Sequence, residues 1–397
     1  MENICHHLDC TGCAACGSAC PVDAIAMMAD RLGHMYPRID RQKCIDCGLC
    51  AKICPANHPP QLLQPLHAYA VTSADAEDYA TSASGGAASV LARHIVKQGG
   101  AVYGCAQYSV ADIRHIRVTD VECLDALKGS KYVQSRTEGI YRQVKKDLQK
   151  GMPVLFTGTP CQVAGLKGYL RKDWPTLFTM DLVCHGVPPQ KLLREDVVTV
   201  TDIHLEELTI SFREKTRVGV RYLFALRQKD TLHAVRRVRF LKDAYLTAFM
   251  AGLTFRESCH RCPYAESRRA ADITVADFWG VGRLKEINPA QGVSLTLLNT
   301  SKGEELFTRV RPYLMAEERC VTEAVTGNGR LQAPFPRPLC KDDFTDCYLR
   351  EGLQPAVRRF ARQWVYRYKL QQLRVRAARM VRLVPGALWV YRKLTRR

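Results

Sequence analysis

Long apolar runs are missing from this 397-residue chain. No uninterrupted apolar stretch approaches the ~20 residues that a membrane-spanning helix needs, so an integral membrane protein is not expected. The N-terminal segment also lacks the basic stretch and apolar run of a secretory signal. We therefore predict a cytoplasmic protein, in whose reducing surroundings a disulfide framework is not expected for the 18 cysteines.

Acidic residues are missing from the C-terminal segment. From Pro355 to Arg397 there are thirteen Lys and Arg and no Asp or Glu, so residues 1–354 carry only +6 of the net charge of +19. Apolar residues are interleaved with these arginines, namely Phe360, Trp364, Tyr368 and Val375. The pattern predicts a basic amphipathic helix that lies on an anionic membrane surface, or one that packs on the protein body or an acidic partner. No nucleic-acid-reading motif accompanies the charge, so nucleic acid is not an expected partner.

One cysteine pattern occurs twice in the first 55 residues. Each copy reads C-x-x-C-x-x-C-x-x-x-C-P, a spacing that suits 4Fe-4S clusters, and in two-cluster ferredoxins the fourth cysteine of each run ligates the other cluster. We therefore assign the first cluster to Cys10, Cys13, Cys16 and Cys54, and the second cluster to Cys44, Cys47, Cys50 and Cys20. Two zinc sites are the alternative, but zinc ribbons use paired C-x-x-C knuckles. Cys5 lies too far outside the run to be preferred over Cys10.

Beyond the ferredoxin-like segment the pattern changes to α/β. Periodicity and turn residues predict helices over 87–97, 141–150 and 161–171, and strands over 101–103, 153–157, 177–183 and 273–276. The strand, helix and strand at 153–183 form a β-α-β unit with parallel neighbouring strands. Short β-like runs over 205–241 predict an antiparallel excursion.

Cysteines also follow two strands of this α/β part. Cys161 and Cys184 come just after the strands at 153–157 and 177–183, whose carboxyl ends should meet at one crevice. A third element, Cys259-x-x-Cys262-Pro, lies in a polar stretch. These four thiols would complete another 4Fe-4S site, and a zinc knuckle is the competing interpretation. The other cysteines of this part are interpreted as structural: Cys105, Cys123, Cys320, Cys340 and Cys347.

A loop of small residues precedes the helix at 87–97. Ser84, Gly85 and Gly86 place exposed backbone at a helix N-terminus, an arrangement that suits a diphosphate or a flavin. Taken alone the signal is weak, because Ser-Gly clusters are usually loops or helix caps.

Two further side chains are candidates for chemistry. Lys131, which follows Ser130 in a stretch rich in hydrogen-bond donors, would sit near a reduced flavin or a phosphate, unless it is a solvated lysine. His185 is a candidate proton donor beside Cys184, although a core histidine is the commoner case.

The longer motifs resemble those of the coenzyme F420 hydrogenase/dehydrogenase beta-subunit family. The similar stretches are SASGG (82–86), KGSKYVQS (128–135), VLFTGTPCQVAGLKGYL (154–170), DLVCHGVPP (181–189) and CHRCPYAESRRAADITVADFWG (259–280). The resemblance implies a catalytic domain with FAD and a third 4Fe-4S cluster on Cys161, Cys184, Cys259 and Cys262. It also implies that Ser84, Gly85, Gly86, Ser130 and Lys131 surround the flavin, and it adds Asp277 to the catalytic candidates Lys131 and His185.

These observations predict an α+β and α/β protein in four segments. They are a bacterial-type two-cluster ferredoxin module (1–62), the N-terminal part (63–150) and C-terminal part (151–354) of an α/β flavin-binding domain with a mixed sheet, and a basic helical tail (355–397). The predicted function is a flavin-dependent oxidoreductase that passes electrons between a redox donor protein, such as reduced ferredoxin, and a small organic acceptor. The alternative is a non-catalytic electron-transfer subunit of a larger hydrogenase or dehydrogenase. The predicted location is cytoplasmic, with peripheral attachment at the inner face of the membrane left open.

Overall fold

The N-terminal module is a small two-fold repeat. The structure, a computed structural model, describes residues 3–216, 219–229, 231 and 233–383. The module contains α1 (Ala15–Ala19), β1 (Ile25–Ala29), β2 (Met35–Ile39) and α2 (Leu49–Lys52). The two strands pair antiparallel, with Ile25 opposite Ile39. Each short helix carries the third cysteine of one run, so the sequence repeat is also a repeat of structure.

A mixed eight-stranded sheet organises most of the remaining chain. The strands of this part of the chain, in the large sheet and in a smaller one, are β3 (His67–Ser73), β4 (Ala101–Gln107), β5 (Ile113–Val118), β6 (Val154–Gly158), β7 (Leu177–Leu182), β8 (Leu208–Thr216), β9 (Gly219–Gln228), β10 (Ala234–Arg239), β11 (Ile273–Asp277), β12 (Ser294–Leu298) and β13 (Leu314–Arg319). The sheet order is β13-β3-β12-β11-β7-β6-β4-β5, while β8, β9 and β10 form a separate antiparallel sheet. Strands β4, β6, β7 and β11 run parallel to their neighbours in that group. The predictions of a mixed sheet and of an antiparallel excursion are confirmed.

Helices surround the two sheets in the described part of the chain. They are α3 (Ala76–Thr81), α4 (Ala87–Lys97), α5 (Ile140–Gln149), α6 (Pro160–Leu170), α7 (Gln190–Val198), α8 (Ala244–Met250), α9 (Ser301–Val310), α10 (Val321–Gly327), α11 (Lys341–Glu351), α12 (Leu353–Phe360) and α13 (Arg362–Leu383). Side chains of a strand alternate between faces. Val102 and Leu155 therefore pack with α4 and α9, whereas Tyr103 and Phe156 pack with α5 and α6.

The predicted β-α-β unit is confirmed and fixes the position of Cys161. β6 and β7 are parallel neighbours, with Gly158 opposite Asp181. Helix α6 begins at Pro160 because Thr159 caps it, and the Thr159 backbone N–H donates to Gln162 Oε1 at 2.9 Å. Proline suits this first helical position because its missing N–H would have no partner there.

The ferredoxin-like module shares a core with this unit. Cys13, Ala15 and Ile53 belong to the same hydrophobic cluster as residues of α5 and α6. Arg142 of α5 donates hydrogen bonds to the carbonyl of Ser18 at 2.7 Å and to the carbonyls of residues 17 and 20 at 3.1 Å. The first cysteine run is therefore held against the α/β part by both apolar packing and hydrogen bonds.

The start of the tail packs on the protein itself. Phe360 and Trp364 contact the core beneath the small sheet, and the ring of Tyr368 meets Phe240 edge-on at 5.2 Å. This packing favours the alternative of a helix seated on the protein body for these residues, and membrane attachment stays a prediction. The apolar run at 383–391 lies outside the described residues beyond Leu383. Among the described helices, none combines the length and apolar character that a membrane crossing requires.

Candidate iron–sulfur sites

The two cysteine runs line two cavities in a crossed arrangement. The first cavity is lined by Cys10, Cys13 and Cys16 of the first run and by Cys54 of the second, together with Cys5. The second cavity is lined by Cys44, Cys47 and Cys50 of the second run and by Cys20 of the first. This exchange of the fourth cysteine is the grouping that the two predicted clusters require.

Both cavities suit an anionic cluster with sulfur ligands. They are walled by apolar and small residues, and the backbone N–H of Ala24 points at Cys20 Sγ at 3.2 Å. Hydrogen bonds to ligand sulfur are one means by which proteins tune iron–sulfur centres. No group of three or more His, Cys, Asp and Glu side chains within the described ranges is arranged to hold a single metal ion.

A third group of cysteines meets at the carboxyl ends of β6 and β7. Burial and the neighbouring thiols raise the pKa of Cys184, and the neighbours concerned are Cys259, Cys161 and Cys262. Burial likewise raises the pKa of Cys259 to about 11 and that of Cys262 to about 12. Four half-buried thiols whose charges would repel one another disfavour multiple thiolates unless a cation shares the site, and the iron of a cluster would supply that charge. The four residues therefore fit a third cluster.

The first cavity and this third group adjoin each other across α6. A Cβ atom added to Gly165 on α6 would lie 2.9 Å from Cys13 Sγ, and Cys161 stands in the first turn of the same helix. The Cys161 thiol contributes to the raised pKa of Cys13, after burial. A short stretch of packed protein therefore separates the two sites.

Arg256 lies between these two sites and was missed in the sequence. Its side chain is 1% exposed and donates to the carbonyls of Met35 at 2.7 Å and Cys10 at 3.4 Å. Its positive charge opposes the rise in pKa that burial causes at Cys161 and Cys259. A buried guanidinium is costly without an anion, and within the described residues Arg256 has no ion pair with a carboxylate. Anionic clusters on either side would supply the missing charge.

An internal ion pair supports the third group. Arg269 Nη2 lies 2.9 Å from Asp181 Oδ2, with side-chain exposures of 1% and 0%. Asp181 also accepts a hydrogen bond from Thr274 Oγ1 at 2.6 Å. The pair joins β7, which leads to Cys184, to the segment that follows Cys262.

A buried carboxylate lies beside the helix terminus that is predicted to bind an anion. Asp78, which is 3% exposed, accepts a hydrogen bond from Ser89 of α4 at 2.6 Å and lies 3.0 Å from Lys128 Nζ. Gly86 forms the N-cap of α4, with a φ of 93°. A phosphate at this helix terminus would meet the buried carboxylate, so these residues do not fit the diphosphate of FAD.

The other residues predicted around the flavin are engaged in local packing. Ser84 Oγ donates to the Val293 carbonyl at 3.1 Å. A Cβ atom at Gly85 would lie 2.0 Å from the Val71 carbonyl oxygen, so glycine is needed for close approach to β3. Ser130 is half-buried and directly precedes Lys131.

Two catalytic candidates are occupied by local contacts. Lys131 Nζ donates to the carbonyls of residues 126, 127 and 128 at 3.3, 2.9 and 2.6 Å, and burial lowers its pKa to about 8. His185 is surrounded by three phenylalanine rings with centroids 4.9–5.3 Å away. Burial lowers the pKa of His185 to about 4, which favours the interpretation of a neutral core histidine.

Asp277 is paired with an arginine on the small sheet. Arg213 binds both of its carboxylate oxygens, at 2.9 and 2.6 Å, and also donates to the hydroxyls of Tyr132 at 2.5 Å and Tyr222 at 3.0 Å. The ion pair ties the small sheet to the large one. Lys131, His185 and Asp277 each have separate partners, so the three catalytic candidates do not form one group.

Comparison with known proteins identifies the α/β part. Residues 151–322 match the family described as the C terminus of the beta subunit of coenzyme F420 hydrogenase/dehydrogenase, and residues 9–58 match the 4Fe-4S dicluster domain. Residues 151–322 are therefore similar to the C-terminal domain of that beta subunit. The resemblance noted in the sequence is confirmed.

Solved structures that are similar in part to this chain include one hydrogenase subunit. It is a chain of the xenon-derivatised F420-reducing [NiFe] hydrogenase complex from Methanosarcina barkeri, with 19% identity and a TM-score of 0.45. The match covers 67% of this chain and 91% of that chain. A search of curated proteins finds no match.

Proposed function

We propose that the protein is an oxidoreductase that passes single electrons through three 4Fe-4S clusters, between a redox donor protein and a small organic acceptor. The observation that carries this proposal is the contact across α6 between the first cavity and the third cysteine group, through Cys13 and Gly165. A cluster on each side would leave only packed side chains between them. Electrons would then pass from the second cavity to the first cavity and from there to the third cysteine group.

The second cavity is the proposed point of electron entry. Cys47 is exposed, and the neighbouring Ile45 is 62% exposed. Cys20 of the same cavity also borders a surface pocket of about 320 Å³, whose lining includes Lys145, Arg171 and Arg142, the last paired with Asp23. A basic rim beside an exposed apolar patch suits an acidic donor, and reduced ferredoxin is the donor we propose.

The organic acceptor requires a pair of electrons, whereas each cluster transfers one. FAD is the two-electron cofactor that the family resemblance implies. Because the Asp78 carboxylate lies beside the amino end of α4, we do not place the FAD diphosphate there. Flavin content, measured after acid release from anaerobically purified protein, tests this part of the proposal separately.

A second candidate function is a non-catalytic electron-transfer subunit of a larger complex. The family description, which names a beta subunit, favours it. Both functions use the same chain of clusters, and they differ in whether the isolated protein reduces an organic acceptor.

Electron transfer through the third group can be tested directly. The purified protein would be reduced anaerobically with an artificial donor, and reduction of a two-electron dye would be followed. We expect Cys161→Ser to keep the electron paramagnetic resonance signals of the N-terminal clusters but to lose dye reduction, while Cys123→Ser, at an exposed cysteine, behaves as wild type. Equal dye reduction by both variants would contradict the proposal, and wild-type protein with reducible clusters but no dye reduction would favour the subunit alternative.

A further inference from the structure

The first ferredoxin cavity contains one cysteine more than a 4Fe-4S cluster needs. Cys5 lines it together with Cys10, Cys13, Cys16 and Cys54. Cys10 and Cys54 are also the two cysteines whose interaction with the Cys5 thiol raises its pKa. Cys5 therefore shares the cavity with all four cysteines assigned to the cluster, although it lies outside the repeated pattern.

The segment that carries Cys5 is fixed by the segment that carries Cys54. Ile4 is 6% exposed, and its carbonyl accepts a hydrogen bond from Asn57 Nδ2 at 2.8 Å. The backbone N–H of Asn57 in turn donates to the Cys54 carbonyl at 3.0 Å. Asn57 thus holds the two cysteines beside the same corner of the cavity.

We infer that Cys5 is a reserve ligand of the first cluster, able to replace Cys54 or Cys10. This inference rests on the cluster assigned to this cavity under the proposed function. The exchange is a ligand substitution without change of oxidation state: the Fe–S bond to Cys54 breaks, a bond to Cys5 forms, and the Cys5 proton passes to the departing Cys54 thiolate. When residue 54 is alanine, that proton passes to water. Thiolate ligation requires the thiol to lose its proton in either case.

The geometry limits which ligands Cys5 can replace. Asn57 fixes the segment of Cys5 beside that of Cys54, whereas Cys16 is buried within helix α1. Substitution of Cys16 should therefore remove the cluster even when Cys5 is present, and this variant is the matched control.

The test compares iron content in anaerobically purified full-length variants. We expect Cys5→Ala and Cys54→Ala each to keep the iron content of wild type, and the double variant to lose about four iron atoms, as Cys16→Ala does. The inference would be overturned if the single variants Cys54→Ala and Cys10→Ala both lost about four iron atoms. Loss in Cys5→Ala alone would also overturn it, because Cys5 would then be a resident ligand. A wild-type protein without iron in this module would instead refute the proposed function.

A second measurement does not depend on the double variant folding. Alkylation of the native protein, followed by mass spectrometry, should label Cys5 in wild type and leave it protected in Cys54→Ala. Equal labelling of Cys5 in both proteins would contradict ligand replacement at Cys54.

Discussion

The buried pair between Arg269 and Asp181 gives the sharpest prediction about stability. Arg269→Met replaces the guanidinium with an apolar side chain of similar length. The Asp181 carboxylate, which is 0% exposed, is then left without its charge partner. Loss of one partner from a buried pair costs about 3–5 kcal/mol. The neighbouring Arg268 pairs with Glu266 at 2.6 Å, but the two side chains are 51% and 31% exposed. Such an exposed pair contributes at most about 1 kcal/mol.

The assay is the shift of the urea unfolding midpoint for Arg269→Met and for the matched control Arg268→Met. We expect the two free energies of unfolding to differ by about 3 kcal/mol, which is roughly 150-fold in the unfolding equilibrium. Adding Asp181→Asn to Arg269→Met should recover part of the loss, because the uncompensated charge is removed. Equal effects of Arg268→Met and Arg269→Met would refute this reasoning.

The same pair predicts a dependence on pH. Burial raises the pKa of Asp181 even with Arg269 in place, and removal of Arg269 should raise it further. A carboxyl whose folded pKa lies above its unfolded pKa loses stability as the pH rises towards the folded value. Arg269→Met should therefore be more damaging at pH 8 than at pH 5.5, and an equal or opposite dependence would contradict the account.

Three more predictions concern other parts of the chain. Burial lowers the pKa of His115 to about 4, so as the pH falls from about 6.5 towards 4 the protein should lose about 1.4 kcal/mol per pH unit from this group; unfolding of His115→Gln should depend less on pH. Gly85→Ala, which pushes a Cβ atom against backbone, should destabilise by about 1–3 kcal/mol, whereas Gly329→Ala, in open space, should change stability by less than about 0.5 kcal/mol. A chain ending at residue 355 loses the packing of Trp364 on the core and should unfold at a lower temperature than a chain ending at Leu383. Thermal unfolding of the two glycine variants, and of the two truncated chains, checks the last two predictions. Equal unfolding temperatures within either pair would contradict the corresponding prediction.

The features that could be predicted from the sequence are those that depend on the spacing of residues close together in the chain. The repeated cysteine run predicts which residues could group, and the parallel strands β6 and β7 predict that Cys161 and Cys184 emerge at one edge of the sheet. Both depend on short-range geometry, since strand and helix periods can be read over a few residues.

Contacts between distant segments were not predictable in this way. Even the contact between Asp78 and Ser89, only eleven positions apart, depends on the way α3 and α4 pack, and no local pattern distinguishes that carboxylate from a surface one. The segment that carries Cys5 is held beside the first cavity by the hydrogen bond from Asn57 to the Ile4 carbonyl, and these two residues are 53 positions apart. Arg256 stands three positions before the Cys259 knuckle, so its nearness to one cysteine group was visible, but its contact with Cys10 depends on the docking of two segments 246 positions apart.

Iron and sulfide content tests the central claim most directly. Anaerobically purified wild-type protein should contain about twelve iron and twelve sulfide per chain, as three 4Fe-4S clusters require. Cys184→Ala should contain about eight of each, while Cys123→Ala should match wild type. A value near eight in the wild type that Cys184→Ala leaves unchanged would contradict the third cluster and with it the proposed path of electrons.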